Sequence, residues 1–249
     1  MTPPTTFRIA TYNIHKCRGI DRRVLPERIA KVIRDLKVDV VALQEVLREE
    51  NRDQFRILTE LTGFHFSSFG ENRKHRGAAY GNALLSRFAV EGWKNYDISA
   101  RGREPRGLLR ADLRLPGGKL LHVLNIHMGT GLLERRRQAR KLLDKEVLLS
   151  GEFSAPRILL GDFNEWTRGL ATKMLSAHFR SAEWTEKMPE PRSRRRTYPG
   201  VLPLLHLDHV YYDESLKLKT FRLYRSQTAL LASDHLPLLA CFEVPSIGG

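Results

Sequence analysis

Arg157-Ile158-Leu159-Leu160-Gly161-Asp162-Phe163-Asn164 is an apolar run too short for a helix that ends in a glycine and then in two polar side chains. That is the pattern of a buried strand delivering functional groups to the rim of a sheet. Asp162 and Asn164 are two apart, so extended backbone points both to one side. A carboxylate only accepts hydrogen bonds, whereas an amide donates and accepts, and the pair suits a site that orients a water beside phosphate oxygens. Taken alone, the same residues also describe a turn closing a hairpin. The surrounding chain decides between the two.

Residues 7–15 read as a first strand. Residues 26–36 form an amphipathic helix with Pro26 at its entry and Ile29, Val32, Ile33 and Leu36 on one face, and 38–45 a buried strand ending in Glu45. Strand, helix, strand implies a parallel crossover. A second helix is expected over 52–61, stopped by Gly63; alternation then predicts strands at 64–69, 80–86, 90–98, 108–115 and 119–127. A helix over 132–149 carries Arg135, Arg136, Arg137, Arg140 and Lys141 around an apolar face. After the strand at 157 come a helix over 169–179, a basic loop over 189–199, strands at 204–212 and 217–224, a loop at 232–237 and a last strand at 238–244. These are too many strands for one parallel sheet. With no linker or composition break, residues 1–249 are expected to form one domain with an ordered core over about 6–246. Asn13-Ile14-His15 and Asn125-Ile126-His127 are near copies, each followed by a helix and an acid-ended strand, which suggests two similar halves meeting at one site.

The 249-residue chain is 41% hydrophobic and 28% charged, the composition of an ordinary globular protein. No apolar run approaches a membrane span, and the N-terminus has neither a basic nor an apolar signal region, so a cytoplasmic protein is expected. Cys17 and Cys241 fit neither a disulfide framework nor zinc-ligand spacing and read as free thiols. The formal net charge is +14, and arginine outnumbers lysine. Because the guanidinium fork favours bidentate phosphate contacts, a polyanion or an anionic membrane surface is the expected kind of partner.

The polar residues at strand ends form a set: Asn13, Glu45, His127, Asp162, Asn164, Asp208, Asp234 and His235. A lone acid or histidine after a strand is usually a turn residue; five apolar strands each delivering one is a pattern. Carboxylates and amides without thiolates suit a hard divalent ion, magnesium first and manganese as the alternative.

At these residues the chain resembles the endonuclease/exonuclease/phosphatase superfamily, which includes pancreatic deoxyribonuclease, apurinic endonucleases, inositol-polyphosphate phosphatases and neutral sphingomyelinases. The signatures are Tyr12-Asn13-Ile14, Gln44-Glu45, Gly161-Asp162-Phe163-Asn164, Leu207-Asp208-His209 and Ser233-Asp234-His235-Leu236-Pro237. They fall in family order over nearly the whole chain, and Tyr12-Asn13-Ile14-His15-Lys16 with Thr197-Tyr198-Pro199 is similar to small stand-alone bacterial members. The resemblance implies an α/β fold, a four-layer α/β/β/α sandwich of two mixed β-sheets with helices on the outer faces. It also implies magnesium-dependent hydrolysis of a phosphate ester by in-line attack of water.

In that scheme Glu45 is the principal metal ligand, with Asn13 beside it and Asp234 assisting. Asp162 orients or deprotonates the water, Asn164 holds phosphoryl oxygens, Asp208 steers His235 on the phosphate, and His127 is the second histidine. Arg106, Arg196 and Tyr198 are candidate contacts to substrate phosphate. Two departures stand out. His15 occupies the place where some DNA-repair members carry a further acid, and residues 80–86 lack an acid to steer His127, a role for which Glu104 is the substitute candidate. The expected substrate is nucleic acid, favoured by the charge, the basic loop at 192–196 and the arginine-rich helix, with phospholipid head groups or small organic phosphates as the alternative and the basic loops at 72–76 and 192–196 as candidate substrate contacts. A monomer is expected.

Overall fold

The computed structural model describes residues 4–144, 147–148, 156–165, 169–184 and 196–245. Among these residues twelve strands form two six-stranded mixed sheets, in the orders β11-β12-β1-β2-β4-β3 and β5-β6-β7-β8-β10-β9. The first comprises β1 (Thr5–Asn13), β2 (Val40–Arg48), β3 (Phe66–His75), β4 (Ala78–Ser86), β11 (Lys217–Leu223) and β12 (Leu238–Val244). The second comprises β5 (Ala89–Asp97), β6 (Gly107–Arg114), β7 (Leu120–His127), β8 (Arg157–Asp162), β9 (Arg180–Ser181) and β10 (Asp208–Tyr212).

In each sheet the central pair is parallel, β1 with β2 and β7 with β8. Antiparallel neighbours flank both sides. The two sheets therefore repeat one pattern, and the echoed Asn-Ile-His tripeptides lie at the ends of β1 and β7.

The sheets face each other over a core that takes Phe7, Ile9, Val40 and Leu84 from one and Leu109, Leu121, Val123, Leu160 and Val210 from the other. Helices close the outer faces. α1 (Pro26–Leu36) and α2 (Gln54–Thr62) lie on the first sheet; α3 (Leu132–Leu142) and α4 (Leu170–Leu175) lie on the second. Local chemistry sets the boundaries. Asp53 accepts the Arg56 N–H at 3.0 Å as an N-cap, and Gly63 at φ 69° closes the other end of α2.

Several expected boundaries move. α3 stops at Leu142 rather than 149, where Leu143 leaves helical geometry, and residues 145–146 and 149 lie outside the described set. α4 covers only Leu170–Leu175. The expected loop at 72–76 is instead the end of β3 and a two-residue hairpin whose Arg76 and Gly77 have φ 50° and 87°, the positive angles such a turn demands. Residues 204–207 are not strand, because Leu205 bridges back to Tyr198 and only Asp208 onward pairs with β8. A short helix, α5 (Gln227–Ala232), precedes the expected loop. The basic loop falls outside the described residues up to 195.

One irregularity matters most. Between Leu43 and Val46 the β2–β4 register slips, so that Gln44 and Glu45 stand opposite Asn82 alone. This β-bulge puts Glu45 at φ 58° and turns its side chain out of the ladder. Asn125, from the middle of β7 in the other sheet, satisfies the polar groups around it. Its amide donates to the carbonyls of Leu43 at 2.9 Å and Ala83 at 2.8 Å, and its oxygen accepts from Gln44 Nε2 at 2.7 Å. Asn125→Ala should take the side-chain donor from two buried carbonyls, while the Gln44 amide keeps Thr11 at 3.1 Å, lowering unfolding free energy by roughly 3 kcal/mol at the usual 1–3 kcal/mol per orphaned buried group. Urea titration checks it, and a loss comparable to that of an exposed substitution such as Trp93→Ala would refute the tie.

Candidate active site

The C-terminal ends of both parallel pairs open onto one cleft of about 480 Å³, lined among others by Asn13, Glu45, His127, Asp162, Asn164, Asp234 and His235. Gly161 allows two of these ends to meet. A Cβ there would lie 1.9 Å from the Ile126 carbonyl oxygen, and its φ of 146° is glycine territory. Asp162 then comes level with His127 across the ladder.

Asp162 sits at the centre. Its Oδ1 accepts the Asn164 N–H at 2.9 Å and its Oδ2 accepts Asn13 Nδ2 at 2.9 Å. The same oxygen is 3.6 Å from His127 Nε2 and 3.7 Å from His235 Nε2. Burial, with help from Asp208, pushes the Asp162 carboxyl up to about 6 although His235 opposes it. His235 donates Nδ1–H to Asp208 Oδ2 at 2.8 Å. Burial would discharge the His235 ring, but Asp208 and Asp162 outweigh it and raise the ring to about 10. Asp208, the residue that the family resemblance pairs with His235, is thus its hydrogen-bond partner.

The two histidines differ. His127 lies 3.2 Å from the Arg106 guanidinium, and burial together with that positive charge drops its pKa to about 3, leaving it neutral. Glu104 does not reach His127. Its carboxylate bridges Arg106 at 2.7 Å and Arg73 at 2.6 Å instead. Arg73 lies over the Tyr80 ring at 4.2 Å, and both line the cleft.

Lys16 is the residue that sequence reasoning missed. Its ammonium pairs with Glu45 Oε2, while Asn13 Nδ2 reaches Glu45 Oε1 at 3.4 Å. Burial works to raise the Glu45 carboxyl, yet His127, Lys16 and His15 overcome it and take it down to about 2. With His127 neutral, Lys16 is the cation that sustains this near neutral pH. The lysine reaches the carboxylate through three consecutive left-handed residues, His15, Lys16 and Cys17, at φ 45°, 58° and 57°. Left-handed backbone costs about 1–2 kcal/mol per non-glycine residue. Gln54 Nε2, donating to the Lys16 carbonyl at 2.8 Å, and the buried Cys17 side chain hold the turn. A Tyr-Asn-Ile-His-Lys run carries no letter that announces such a turn.

The remaining candidates divide. Asp234 is half-buried at the rim, 3.4 Å from His15 Nδ1, and Tyr198 packs on the His235 ring with centroids 5.0 Å apart. Asn164, at φ 51°, donates its amide to the Met128 carbonyl at 2.9 Å. Arg196 is exposed and does not line the cleft.

Glu183, His206 and His209 form a separate cluster. His209 gives one ring N–H to the Glu165 carbonyl at 2.7 Å and the other to Glu183 at 2.7 Å. Burial opposes the charge on that ring, but Glu183 prevails and lifts it to about 9, so the cluster is a buried ion pair behind the sheet.

A metal is implied by chemistry of this kind, and the donors fit one. Glu45 and Asp234 present hard oxygens at one lip, where Asn13 turns its Nδ2 toward Glu45 and gives its Oδ1 to the His15 N–H, and Asp162, Asp208 and His235 form a second set within reach of one another. Glu45 already holds a cation in the form of the Lys16 ammonium. Oxygen donors without thiolate match magnesium-like ions.

Fold and cleft together define a phosphoesterase. Residues 10–235 match the model of the Endonuclease/Exonuclease/phosphatase family, and the chain belongs to that family. An uncharacterized Escherichia coli protein, YbhP, is 30% identical over 265 residues, covering 94% of this chain and 98% of its own. An endonuclease/exonuclease/phosphatase structure from Beutenbergia cavernae superposes with a TM-score of 0.76 at 24% identity, over 97% of this chain and 72% of that one. A mannosyl-6-phosphatase of Bacteroides thetaiotaomicron does so at 0.71 and 17%, over 95% and 99%. At those identities the structures speak for the fold alone.

The His235–Asp208 pair makes a measurable linkage. A histidine whose folded pKa is raised from 6.5 to about 10 stabilises the fold fully below pH 6.5, and that contribution is lost as pH rises through the folded value. Ring ¹⁵N shifts should therefore report a doubly protonated His235 at pH 8. In Asp208→Asn the ring should titrate near the ordinary histidine range, and a ring already neutral at pH 8 in the parent would refute the pairing.

Proposed function

We propose that the chain is a divalent-metal-dependent phosphodiesterase that hydrolyses its substrate by in-line attack of water on phosphorus. The observation that supports this reading best is the contact of Asp162 with both histidines and Asn13 on the floor of the cleft. Two groups there have pKa values pushed toward opposite tasks: Asp162 near 6 as proton acceptor, His235 near 10 as a standing cation.

Asp162 takes the proton of the attacking water, held in place by Asn13 and by the Asn164 backbone. His235, charged through Asp208, donates to a phosphoryl oxygen. Arg106 adds positive charge on the His127 side, and neutral His127 donates or accepts one hydrogen bond. Asn164 offers its amide to the phosphoryl group once released from Met128. The ion held by Glu45 and Asn13, with Asp234 assisting, would neutralise charge building on the phosphoryl oxygens.

Nucleic acid remains the reading that the +14 charge supports. Base stacking finds little purchase in the cleft. Among the described residues its aromatic side chains are Tyr80, buried beneath Arg73, and Tyr198, packed on His235.

The test uses bis(p-nitrophenyl) phosphate with magnesium or manganese. Turnover should vanish with chelator and fall about 10²–10⁴-fold in Asp162→Asn and in His235→Ala, the ordinary worth of a general acid–base group. Its pH profile should be a bell with limbs near 6 and 10, and Asp208→Asn should bring the alkaline limb down. Full activity in Asp162→Asn would sink the assignment.

A further inference from the structure

Five large aliphatic side chains stand in solvent on the two segments that frame the cleft. Leu132 and Leu133, at 62% and 65% exposed, open α3 just after the cleft-lining Thr130. Val201, Leu202 and Leu204, at 50%, 65% and 55%, occupy the loop between the cleft-lining Tyr198 and Leu205. Single exposed leucines are common on protein surfaces. Five on both lips of one polar cleft are a patch that calls for a partner.

The charge beside them says which. Beyond its two leucines the outward face of α3 continues with Arg136, Arg137, Arg140 and Lys141, all exposed. Leu132, Arg136 and Arg140 follow the four-residue spacing of one stripe. Lys141 bonds the Ser99 carbonyl at 2.8 Å, which brings the exposed Arg101 and Arg103 beside the same helix, and Arg196, two residues before Tyr198, is exposed as well. Aliphatic tips leading into a cationic face are what an interfacial helix presents to an anionic bilayer, with leucines entering the acyl boundary and arginines meeting the lipid phosphates. No described helix is long and apolar enough to cross a membrane, so contact would be from the surface. A ligand whose phosphate sat at Asp162 and His235 would reach these leucines, which flank the cleft-lining Thr130, Tyr198 and Leu205, only with an apolar part. It is therefore an amphiphile.

Resting on the phosphodiesterase reading above, we propose that this face docks on an anionic phospholipid bilayer and that the substrate is the head-group phosphodiester of a glycerophospholipid. Water adds to phosphorus, one ester P–O bond breaks, and the alcohol on that bond leaves with a proton. No co-reactant beyond water is required.

The experiment uses the full chain with vesicles of pure phosphatidylcholine and of phosphatidylcholine with phosphatidylglycerol. The parent should co-sediment with the anionic vesicles only and release a water-soluble or lipid product from phosphatidylglycerol when metal is supplied. The variants L132S/L133S and V201S/L202S/L204S should each lose about tenfold or more in vesicle binding and in lipid turnover, given the worth of a buried leucine. Both should keep the parent rate on bis(p-nitrophenyl) phosphate, which also reports that they fold. Leu202→Trp should bind like the parent and shift its emission to the blue on adding anionic vesicles.

Binding or lipid turnover unchanged in both serine variants would overturn the proposal. So would plasmid cleavage with no action on vesicles, or a concentration-dependent dimer of the parent that the serine substitutions abolish. If the soluble diester is not hydrolysed either, the reaction assignment fails, and the sedimentation arm still decides the surface by itself.

Discussion

The hydrogen bonds from Asn125 into the β2 bulge hold the two sheets and the cleft to one geometry. A bulge frees backbone groups that a regular ladder would pair, and in a dry interior each must find a partner. Here a partner comes from the opposite sheet: one asparagine donates to the carbonyls of Leu43 and Ala83 and accepts from the side-chain amide of Gln44. Those bonds fix the distance between sheets at the level where Glu45 is turned outward and Asp162 ends β8. Most of the intersheet core is aliphatic and would tolerate small slides. The asparagine would not, because its bonds are directional.

Given that frame, the site is an exercise in holding like charges together. Asp162, Asp208 and Glu45 crowd the floor and lip of the cleft, and they are stable there only because His235, Lys16 and the Asn13 amide stand between them. The chain accepts strain to place these counter-groups. Glu45, Asn164 and the turn at 15–17 all adopt left-handed backbone without glycine, a cost that persists where surrounding structure over-determines it. Arg106 plays the opposite part on the other wall. Adding to the burial that already discharges His127, it makes the two histidines unequal, one a cation and one a neutral hydrogen-bonding group.

Much of this was legible in the letters, and the boundary of legibility has physical causes. Asp162, Asn164, His127 and Glu45 end apolar runs, and period-two alternation decides which side of a strand faces the core; their convergence needed only the sheet. Lys16 was hidden because its role depends on an unmarked left-handed turn. Asn125 read as half of a repeated tripeptide, but β7 continues two residues past it, so His127, not Asn125, reaches the rim that Asn13 reaches on β1. The bulge at Gln44 and Glu45 has no glycine to signal it. Glu104 was the candidate substitute for the acid that residues 80–86 lack, and Arg73 and Arg106 hold it instead. Leu132 and Leu133 open a helix and stand exposed, and exposure is set by what packs alongside, which no local pattern encodes.

The matched sheets end in unmatched chemistry, and that asymmetry locates what the fold constrains and what it leaves free. β1 and β2 deliver Asn13 and Glu45, an amide donor beside a carboxylate, while β7 and β8 deliver His127 and Asp162, an imidazole beside a carboxylate. Both sets are anchored in strands whose interior positions are fully packed, so the reaction is tied to the sheets. His235 and Asp208 then stitch the two halves at their shared edge, one from the connection into β12 and one from the head of β10. The lips behave differently: residues 129–133 and 198–205 carry aliphatic side chains that touch little of the core. Substitution there changes what the cleft meets without moving an atom of its floor, and a family built on this plan can therefore exchange substrates while keeping one mechanism.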